Sequence, residues 1–145
     1  NLKKMDIFGV AIGGSLGSSK DEMYNIVRFV GSKLNLHHPV HLLGIGDPKD
    51  VWNLVKSGID TFDCVSPTRL ARHGSALARS TEGKININNS RYATDTNPID
   101  INCSCFTCAS YSLAYIHHLF KANEVLGLNL LSLHNIFFMN NLMQI

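Results

Sequence analysis

Three cysteines fall within six positions of a 145-residue chain that has only four: Cys103, Cys105 and Cys108. Disulfide formation requires a Cα separation and Cβ directions that a tight loop seldom offers, so these thiols are poor partners for one another. C-x-C and C-x-x-C spacings instead turn several sulfurs toward one point, which suits a tetrahedral Zn²⁺. Buried free thiols are the alternative, and the tight spacing favours zinc over it.

A fourth zinc ligand has to come from elsewhere in the chain. Three downstream histidines are candidates: His117, His118 and His134. His117 and His118 are adjacent inside a predicted helix and face different directions, whereas His134 is predicted at the start of the last helix, just after a turn. We therefore favour His134. Four protein ligands leave no open coordination position, so we expect one structural zinc ion per chain.

Basic residues are concentrated in one segment, although the formal net charge of the chain is only +2. Between residues 69 and 91 the single acid is Glu82, and the local formal charge is +4. The five basic residues are Arg69, Arg72, Arg79, Lys84 and Arg91. Such a segment is either a solvated loop or a phosphate-binding surface, and charge alone does not separate the two.

The composition, 45% hydrophobic and 17% charged, predicts one ordinary globular core rather than disorder. The uncharged stretch after Glu124 contains too many polar groups for a bilayer, so no membrane association is expected. The first apolar run is interrupted by Asp6 and by glycines, which favours a strand over a secretory signal. We expect a location in the reducing cytoplasm, where disulfides are rare.

The first half of the chain alternates strand and helix patterns, which predicts a parallel α/β arrangement. Asp47 can cap the second helix, with Pro48 in its first turn. A glycine-rich turn follows the first strand, and Pro67 should stop the third. Cys64 is expected to be a small core residue of that strand. The predicted order is strand 7–12, helix 21–34, strand 39–46, helix 49–58 and strand 61–67.

The second half has a different character. Residues 75–88 alternate apolar and polar side chains around a Glu82–Gly83 turn, which predicts an antiparallel hairpin. After the cysteines, residues 110–127 read as a helix that Gly127 closes, and a last apolar segment begins at Ile136.

Several stretches together resemble the tRNA-guanine transglycosylases, also called queuine tRNA-ribosyltransferases, especially the bacterial type. The most specific are F-D-C-V-x-P-T-R at 62–69 and C-x-C-x-x-C followed by a histidine after 25 intervening residues. The other matching stretches are AIGGSLG, HLLGIGDPKDV, NPID, AYIHHLFKANEVLG and LLSLHN. The resemblance implies the C-terminal part of a (β/α)8 TIM barrel with an inserted zinc-binding subdomain. Residues 1–68 would be barrel units, and 69–145 the RNA-facing hairpin, zinc subdomain and C-terminal helices.

The resemblance also implies a reaction, in which guanine at the anticodon wobble position of tRNA is exchanged for a 7-deazaguanine, preQ1 or queuine. Asp63 would be the nucleophile that forms a covalent bond with ribose, and Gly13 and Gly14 would line the base pocket. Arg69 and Arg72 would contact the anticodon loop, and the enzyme would be a homodimer. Without the resemblance, an aspartate at a strand end is more often a cap or a turn former, and paired glycines usually mark a turn.

Two departures limit what the resemblance implies. The turn after Gly14 is one residue shorter than in the bacterial family, and Ser18 stands where glutamate is expected, so the sequence does not specify the deazapurine. The general base of the family would lie upstream of this sequence. A closed barrel needs about 250 residues, so the chain by itself is expected to be inactive. The alternative is a non-catalytic, zinc-stabilised module for tRNA binding or dimerisation.

Overall fold

A computed structural model describes residues 6–14, 16–34, 37–79 and 83–144. The chain divides into two compact units, residues 1–65 and 66–145. The first unit contains β1 (Val10–Ile12), α1 (Lys20–Gly31), β2 (Val40–Leu42), α2 (Pro48–Val55) and β3 (Thr61–Phe62). The second contains α3 (Ser66–Arg72), β4 (Ser75–Leu77), β5 (Lys84–Asn86), a 3-10 turn (Ser90–Tyr92), α4 (Phe106–Ser110), α5 (Leu113–Lys121) and α6 (Val125–Leu142).

The predicted strand and helix order of the first unit is confirmed. β1, β2 and β3 form a parallel sheet in that order, with Val10 opposite Val40 and Leu42 opposite Phe62. The strands are shorter than predicted, because apolar character continues past the residues that pair. Val27 of α1 and Leu42 of β2 are fully buried in the core that the sheet shares with its helices.

The predicted start of α2 is also confirmed. Asp47 accepts a hydrogen bond from the backbone N–H of Lys49, and Pro48 lies in the first turn. The buried carboxylate of Asp50 ties α2 to α1, since it accepts hydrogen bonds from Lys20 Nζ at 2.9 Å and from the Tyr24 hydroxyl at 2.6 Å. The hydrogen bond to Asp50 raises the pKa of Lys20.

The sequence analysis predicted that Pro67 stops the third strand, and this prediction is wrong. β3 ends at Phe62, and Pro67 lies in the first turn of α3. A proline is accommodated there because the first N–H groups of a helix have no partner within the helix. Asp63 therefore follows directly after the last paired residue of β3.

The predicted hairpin of the second unit is confirmed as β4 and β5, which pair antiparallel with Ser75 opposite Asn86 and Leu77 opposite Lys84. Of the expected turn, Glu82 lies outside the described residues, and Gly83 has a positive φ of 81°. Ala76 and Ile85 point from the two strands into the second core.

Gly127 does not close a helix, and this prediction is wrong. α5 ends at Lys121, Asn123 adopts a left-handed φ of 56°, and a new helix begins at Val125. Asparagine tolerates that conformation better than most residues. The buried face of α6 repeats at intervals of three and four residues, as a helix packed on a core requires: Gly127, Leu130, Leu131, His134 and Asn135. None of the helices in the described part of the chain is long and apolar enough to span a bilayer.

Gly127 allows α5 and α6 to approach closely. A Cβ at this position would lie 3.0 Å from Leu119 Cβ and 3.3 Å from Phe120 Cδ2. We expect Gly127→Val to lower the free energy of unfolding by about 1–3 kcal/mol through overpacking. Denaturant unfolding measures this. Leu126→Val introduces the same side chain at an exposed neighbouring position and should change stability by less than about 0.5 kcal/mol. Equal effects of the two substitutions would contradict the packing argument.

Candidate functional site

The three cysteines of the second unit converge on one ring nitrogen of His134. Nδ1 of His134 lies 3.7 Å from Cys103 Sγ, 3.5 Å from Cys105 Sγ and 3.3 Å from Cys108 Sγ. All four potential ligand atoms lie within 4.8 Å of one another. The structure thus brings together the four residues that the sequence analysis had selected.

These separations fit a tetrahedral zinc site. With Zn–S bonds of about 2.3 Å and Zn–N bonds of about 2.0–2.1 Å, a tetrahedron places sulfur and nitrogen about 3.6 Å apart. The three observed S···N distances, between 3.3 and 3.7 Å, bracket that value. Three sulfurs and one imidazole nitrogen are also the donor set of many structural zinc sites.

A backbone carbonyl fixes the orientation of the His134 ring. Nε2 lies 2.7 Å from the carbonyl oxygen of Leu77, which accepts its hydrogen bond. A proton on Nε2 leaves a lone pair on Nδ1, the atom that faces the sulfurs. Burial lowers the pKa of His134, so the ring is neutral near pH 7 and able to coordinate. His134 lies in the middle of α6 and not, as predicted, just after a turn.

The thiols are held by a short helix. Cys105 is the N-cap of α4, and its sulfur accepts a hydrogen bond from the backbone N–H of Cys108 at 3.3 Å. Burial is the largest cause of the raised pKa values of Cys103 and Cys108. These two thiols should therefore release their protons only when a cation compensates the buried negative charge.

The two other histidines considered as ligands are not in the cluster. His117 is buried, and its Nδ1 lies 2.7 Å from the carbonyl oxygen of Ile87. His118, the next residue of α5, is exposed. As expected for adjacent helical residues, the two face different directions.

Asn135 is a site residue that the sequence analysis missed. Its Oδ1 accepts a hydrogen bond from Leu77 N–H at 2.8 Å, and its Nδ2 donates to the carbonyls of Pro67 and Ser75 at 2.9 and 3.0 Å. The side chain is completely buried. Its position next to His134 could have indicated this role, because a polar side chain in a buried, apolar part of a helix needs hydrogen-bond partners.

The first unit holds Asp63 at the carboxyl edge of its parallel sheet. Oδ1 of Asp63 accepts a hydrogen bond from Gly44 N–H at 3.2 Å and lies 3.1 Å from His41 Nε2. The side chain is 59% exposed, so the carboxylate is not enclosed. Cys64, expected in the core, is only half-buried and packs against Gly46, where it leaves no room for a Cβ.

Gly13 and Gly14 follow the last residue of β1, at the same edge of the sheet as Asp63. A Cβ on Gly13 would lie 2.5 Å from Leu43 Cδ1, so a side chain at this position would require the exposed Leu43 side chain to move. Gly14 has a positive φ of 86°, and no atom of the described residues lies within 4 Å of the position that a Cβ would take. The structure leaves the backbone of both residues exposed.

The five basic residues of the 69–91 segment are all exposed. Arg69 and Arg72 lie on α3, and Lys84 lies at the start of β5. Arg72 lines an open cleft of about 370 Å³ together with His73, Asn88 and Phe120.

The model of the family described as "Queuine tRNA-ribosyltransferase" matches residues 1–145. Proteins named queuine tRNA-ribosyltransferase are 50% identical over 145 residues in a Roseiflexus species and 46% identical over 146 residues in Fusobacterium nucleatum. Each of these matches covers 99% of the chain. The chain belongs to the queuine tRNA-ribosyltransferase family.

Membership in the queuine tRNA-ribosyltransferase family confirms the resemblance seen in the sequence. The chain spans 36% of the Roseiflexus relative and 39% of the Fusobacterium relative, which is well under half of their length. The mixed arrangement of helices and strands agrees with the expected α/β class.

We expect the chain to bind one zinc ion and to be stabilised by it. Cys108→Ser should reduce the bound metal to well below one ion per chain and make unfolding insensitive to a chelator, because a three-ligand site binds zinc less tightly. Metal analysis and thermal unfolding with and without chelator measure both effects.

The affinity of the chain for zinc should also fall as the pH is lowered, since protons compete with the metal for the thiolates.

The matched control for this experiment is Cys64→Ser. Cys64 is the one cysteine outside the cluster, and its substitution should leave the metal content unchanged. Substitution of zinc by Co²⁺ adds a spectroscopic readout, because thiolate-to-cobalt charge transfer should weaken in Cys108→Ser alone. Equal loss of metal in both variants would contradict the assignment of the ligands.

Asn135→Leu should destabilise the metal-loaded protein. The substitution removes the partner of the buried Leu77 N–H, and each buried polar group left without a partner costs about 1–3 kcal/mol. Denaturant unfolding of the zinc-loaded chain measures this loss. Asn140→Leu makes the same change at an exposed position of α6 and should be nearly neutral. A loss below about 1 kcal/mol for Asn135→Leu would show that the bonds to β4 contribute little.

Proposed function

We propose that this chain forms the nucleophile-bearing part of a tRNA-guanine transglycosylase, with Asp63 as the nucleophile. The observation that carries the proposal is the placement of Asp63, which lies exposed just past the end of a parallel strand in a chain of this family. Side chains at the carboxyl ends of parallel strands are where α/β proteins place their reactive groups. A carboxylate is ionised at neutral pH and needs no further activation to attack a sugar carbon.

The proposed reaction is a double displacement at the ribose C1′ of the wobble guanosine. An oxygen of Asp63 forms a bond to C1′ while the C1′–N9 bond breaks, and the guanine leaves with the bonding electron pair and accepts a proton. The incoming 7-deazaguanine then loses its ring N–H proton to a general base from outside this sequence and attacks C1′, which releases the Asp63 carboxylate. Two displacements retain the configuration at C1′, and no oxidant or reductant is needed.

Gly13 and Gly14 are proposed to line the pocket for the leaving and incoming bases. Both backbones are exposed at the same sheet edge as Asp63, and the absence of side chains lets a planar base approach main-chain donors and acceptors.

Arg69 and Arg72 are proposed to bind the anticodon loop. Both are exposed on one short helix, and guanidinium groups suit phosphates and the edges of unpaired bases. The cleft beside Arg72 also presents Phe120, an aromatic ring of the kind on which unpaired bases stack.

Zinc is proposed to have a structural role in this protein. Cys103, Cys105, Cys108 and His134 would hold one ion, and the donor set leaves no position for a substrate. These side chains would thereby link α4 to α6 through the ion, whose role would be structural and not chemical. The proposed architecture is the last βα units of a TIM barrel over residues 1–68, followed by the RNA-facing hairpin and zinc subdomain over 69–145.

A homodimer in the cytoplasm, where tRNA is modified, completes the proposal. Exposed apolar side chains on α4, α5 and α6 support a protein contact on these helices: Phe106, Tyr115, Val125, Leu126, Leu133 and Ile136. Light scattering on the complete protein that contains this sequence would test the dimer.

Asp63→Asn should abolish the covalent bond to tRNA, because a neutral amide is a very poor nucleophile toward a sugar carbon. The experiment uses the complete protein that contains this sequence, mixed with tRNA and quenched in denaturant. We expect a tRNA adduct of the wild type on a denaturing gel and none of Asp63→Asn. Asp21→Asn removes an exposed carboxylate from α1 and should leave the adduct unchanged.

The same experiment separates the two functions that the sequence allows. An adduct that depends on Asp63 supports the transglycosylase. Tight tRNA binding by the wild type without any adduct would instead favour the non-catalytic tRNA-binding module. An adduct that persists in Asp63→Asn would assign the nucleophile to another residue.

A further inference from the structure

Three side chains of the first unit form a continuous chain of hydrogen bonds that ends on Asp63. Thr61 Oγ1 lies 2.8 Å from His41 Nδ1, and His41 Nε2 lies 3.1 Å from Asp63 Oδ1. Both ring nitrogens of His41 are therefore engaged. The family resemblance of the sequence did not assign a role to His41 or to Thr61.

The register of the sheet explains why these side chains meet. β2 and β3 are parallel, and His41 is paired with Thr61. Directly paired residues project to the same face of a sheet, and so does the residue two positions farther along a strand. Asp63 is two residues after Thr61, so its carboxylate is reached by the same imidazole. A shift of the pairing by one residue would move His41 to the opposite face.

The protonation of the His41 ring follows from its two partners. An ionised carboxylate only accepts hydrogen bonds, so Nε2 must carry a proton to bind Asp63. In the neutral ring Nδ1 then accepts, and the threonine hydroxyl can donate to it. The opposite tautomer would place a lone pair against the negative carboxylate. The carboxylate of Asp63 therefore selects this tautomer, and the hydroxyl of Thr61, which can donate as well as accept, holds the ring in the matching orientation.

The two carboxylate oxygens of Asp63 differ in their hydrogen bonds. Oδ1 also accepts the hydrogen bond from Gly44 N–H at 3.2 Å, so it is held by two donors. Among the described residues, no hydrogen bond reaches Oδ2. Because two hydrogen bonds hold Oδ1, the carboxylate cannot rotate freely about χ2, and Oδ2 keeps a constant direction.

We propose that His41, oriented by Thr61, is a positioning residue that holds Oδ1 of Asp63 and leaves Oδ2 as the oxygen that attacks ribose. This inference rests on the proposed function of Asp63 and adds a specific arrangement to it. His41 does not itself contact the substrate in this scheme. It lowers the barrier by keeping the nucleophile in its attack geometry, and a misplacement of about 1 Å can reduce a rate about 10²-fold.

The test measures the rate of adduct formation with tRNA in single-turnover experiments on the complete protein. His41→Leu, which has no donor, should slow adduct formation about 10–100-fold. His41→Gln should recover most of the rate, because its side-chain amide can place an N–H near the position of Nε2. The tRNA concentration that gives half-maximal rate should change little, since His41 acts on the nucleophile and not on binding.

A second pair of variants tests the orienting role of Thr61. Thr61→Val removes the hydroxyl while it keeps the shape of the side chain, and Thr61→Ser keeps the hydroxyl. We expect slower adduct formation in Thr61→Val alone. Carbon and nitrogen NMR of the His41 ring should show the tautomer with the proton on Nε2 in the wild type, because the carboxylate of Asp63 selects it.

The controls distinguish the failure of this inference from that of the proposed function. His38→Gln alters a neighbouring histidine outside the hydrogen-bonded chain and should leave the rate unchanged. If the wild type forms no adduct, the proposed function fails. If the wild type forms the adduct and His41→Leu, folded by circular dichroism, forms it within twofold of the wild-type rate, the positioning role is refuted. Should His41→Leu not fold, equal rates in Thr61→Val and Thr61→Ser refute it.

Discussion

Two adjacent side chains of α6 bind both backbone groups of one residue, Leu77 in β4, and the second unit depends on this contact. His134 donates to the carbonyl of Leu77, and Asn135 accepts from its N–H. Because one nitrogen of His134 is fixed in this way, the other is aimed at the three sulfurs. Asn135 also binds the carbonyl of Pro67, at the start of the helix that carries the two arginines. The same turn of α6 thus contacts the hairpin and the basic helix and aims His134 at the three sulfurs.

Negative charge in the buried cysteine cluster is unfavourable unless a cation compensates it. Burial raises the pKa values of Cys103 and Cys108, since a thiolate loses hydration when it is removed from water. Several thiolates within a few ångströms would also repel one another. A divalent ion would offset both costs, and its binding energy would then contribute to the stability of the second unit.

Local patterns in the sequence predicted much of the secondary structure and failed where packing decided. The Asp47 cap, the strand and helix order of the first unit and the hairpin are specified by neighbouring residues, and all were confirmed. Gly127 was interpreted as a helix end, but it lies inside α6. A glycine is found there because α5 packs too closely to leave room for a side chain. Pro67 was read as a strand end, yet the first turn of a helix accepts proline equally well.

The sequence by itself determined which groups are available: three thiols at ligand spacing, an aspartate after a short strand and a basic segment, together with the family. These depend on residue types and short spacings, which the chain carries in every conformation. Only the tertiary structure decided which distant groups meet. His134 reaches Leu77 across 57 positions, and His41 reaches Thr61 across 20. Such contacts depend on helix packing and strand register. A shift of one residue in the strand pairing, or in the helix position, would direct the same side chains elsewhere.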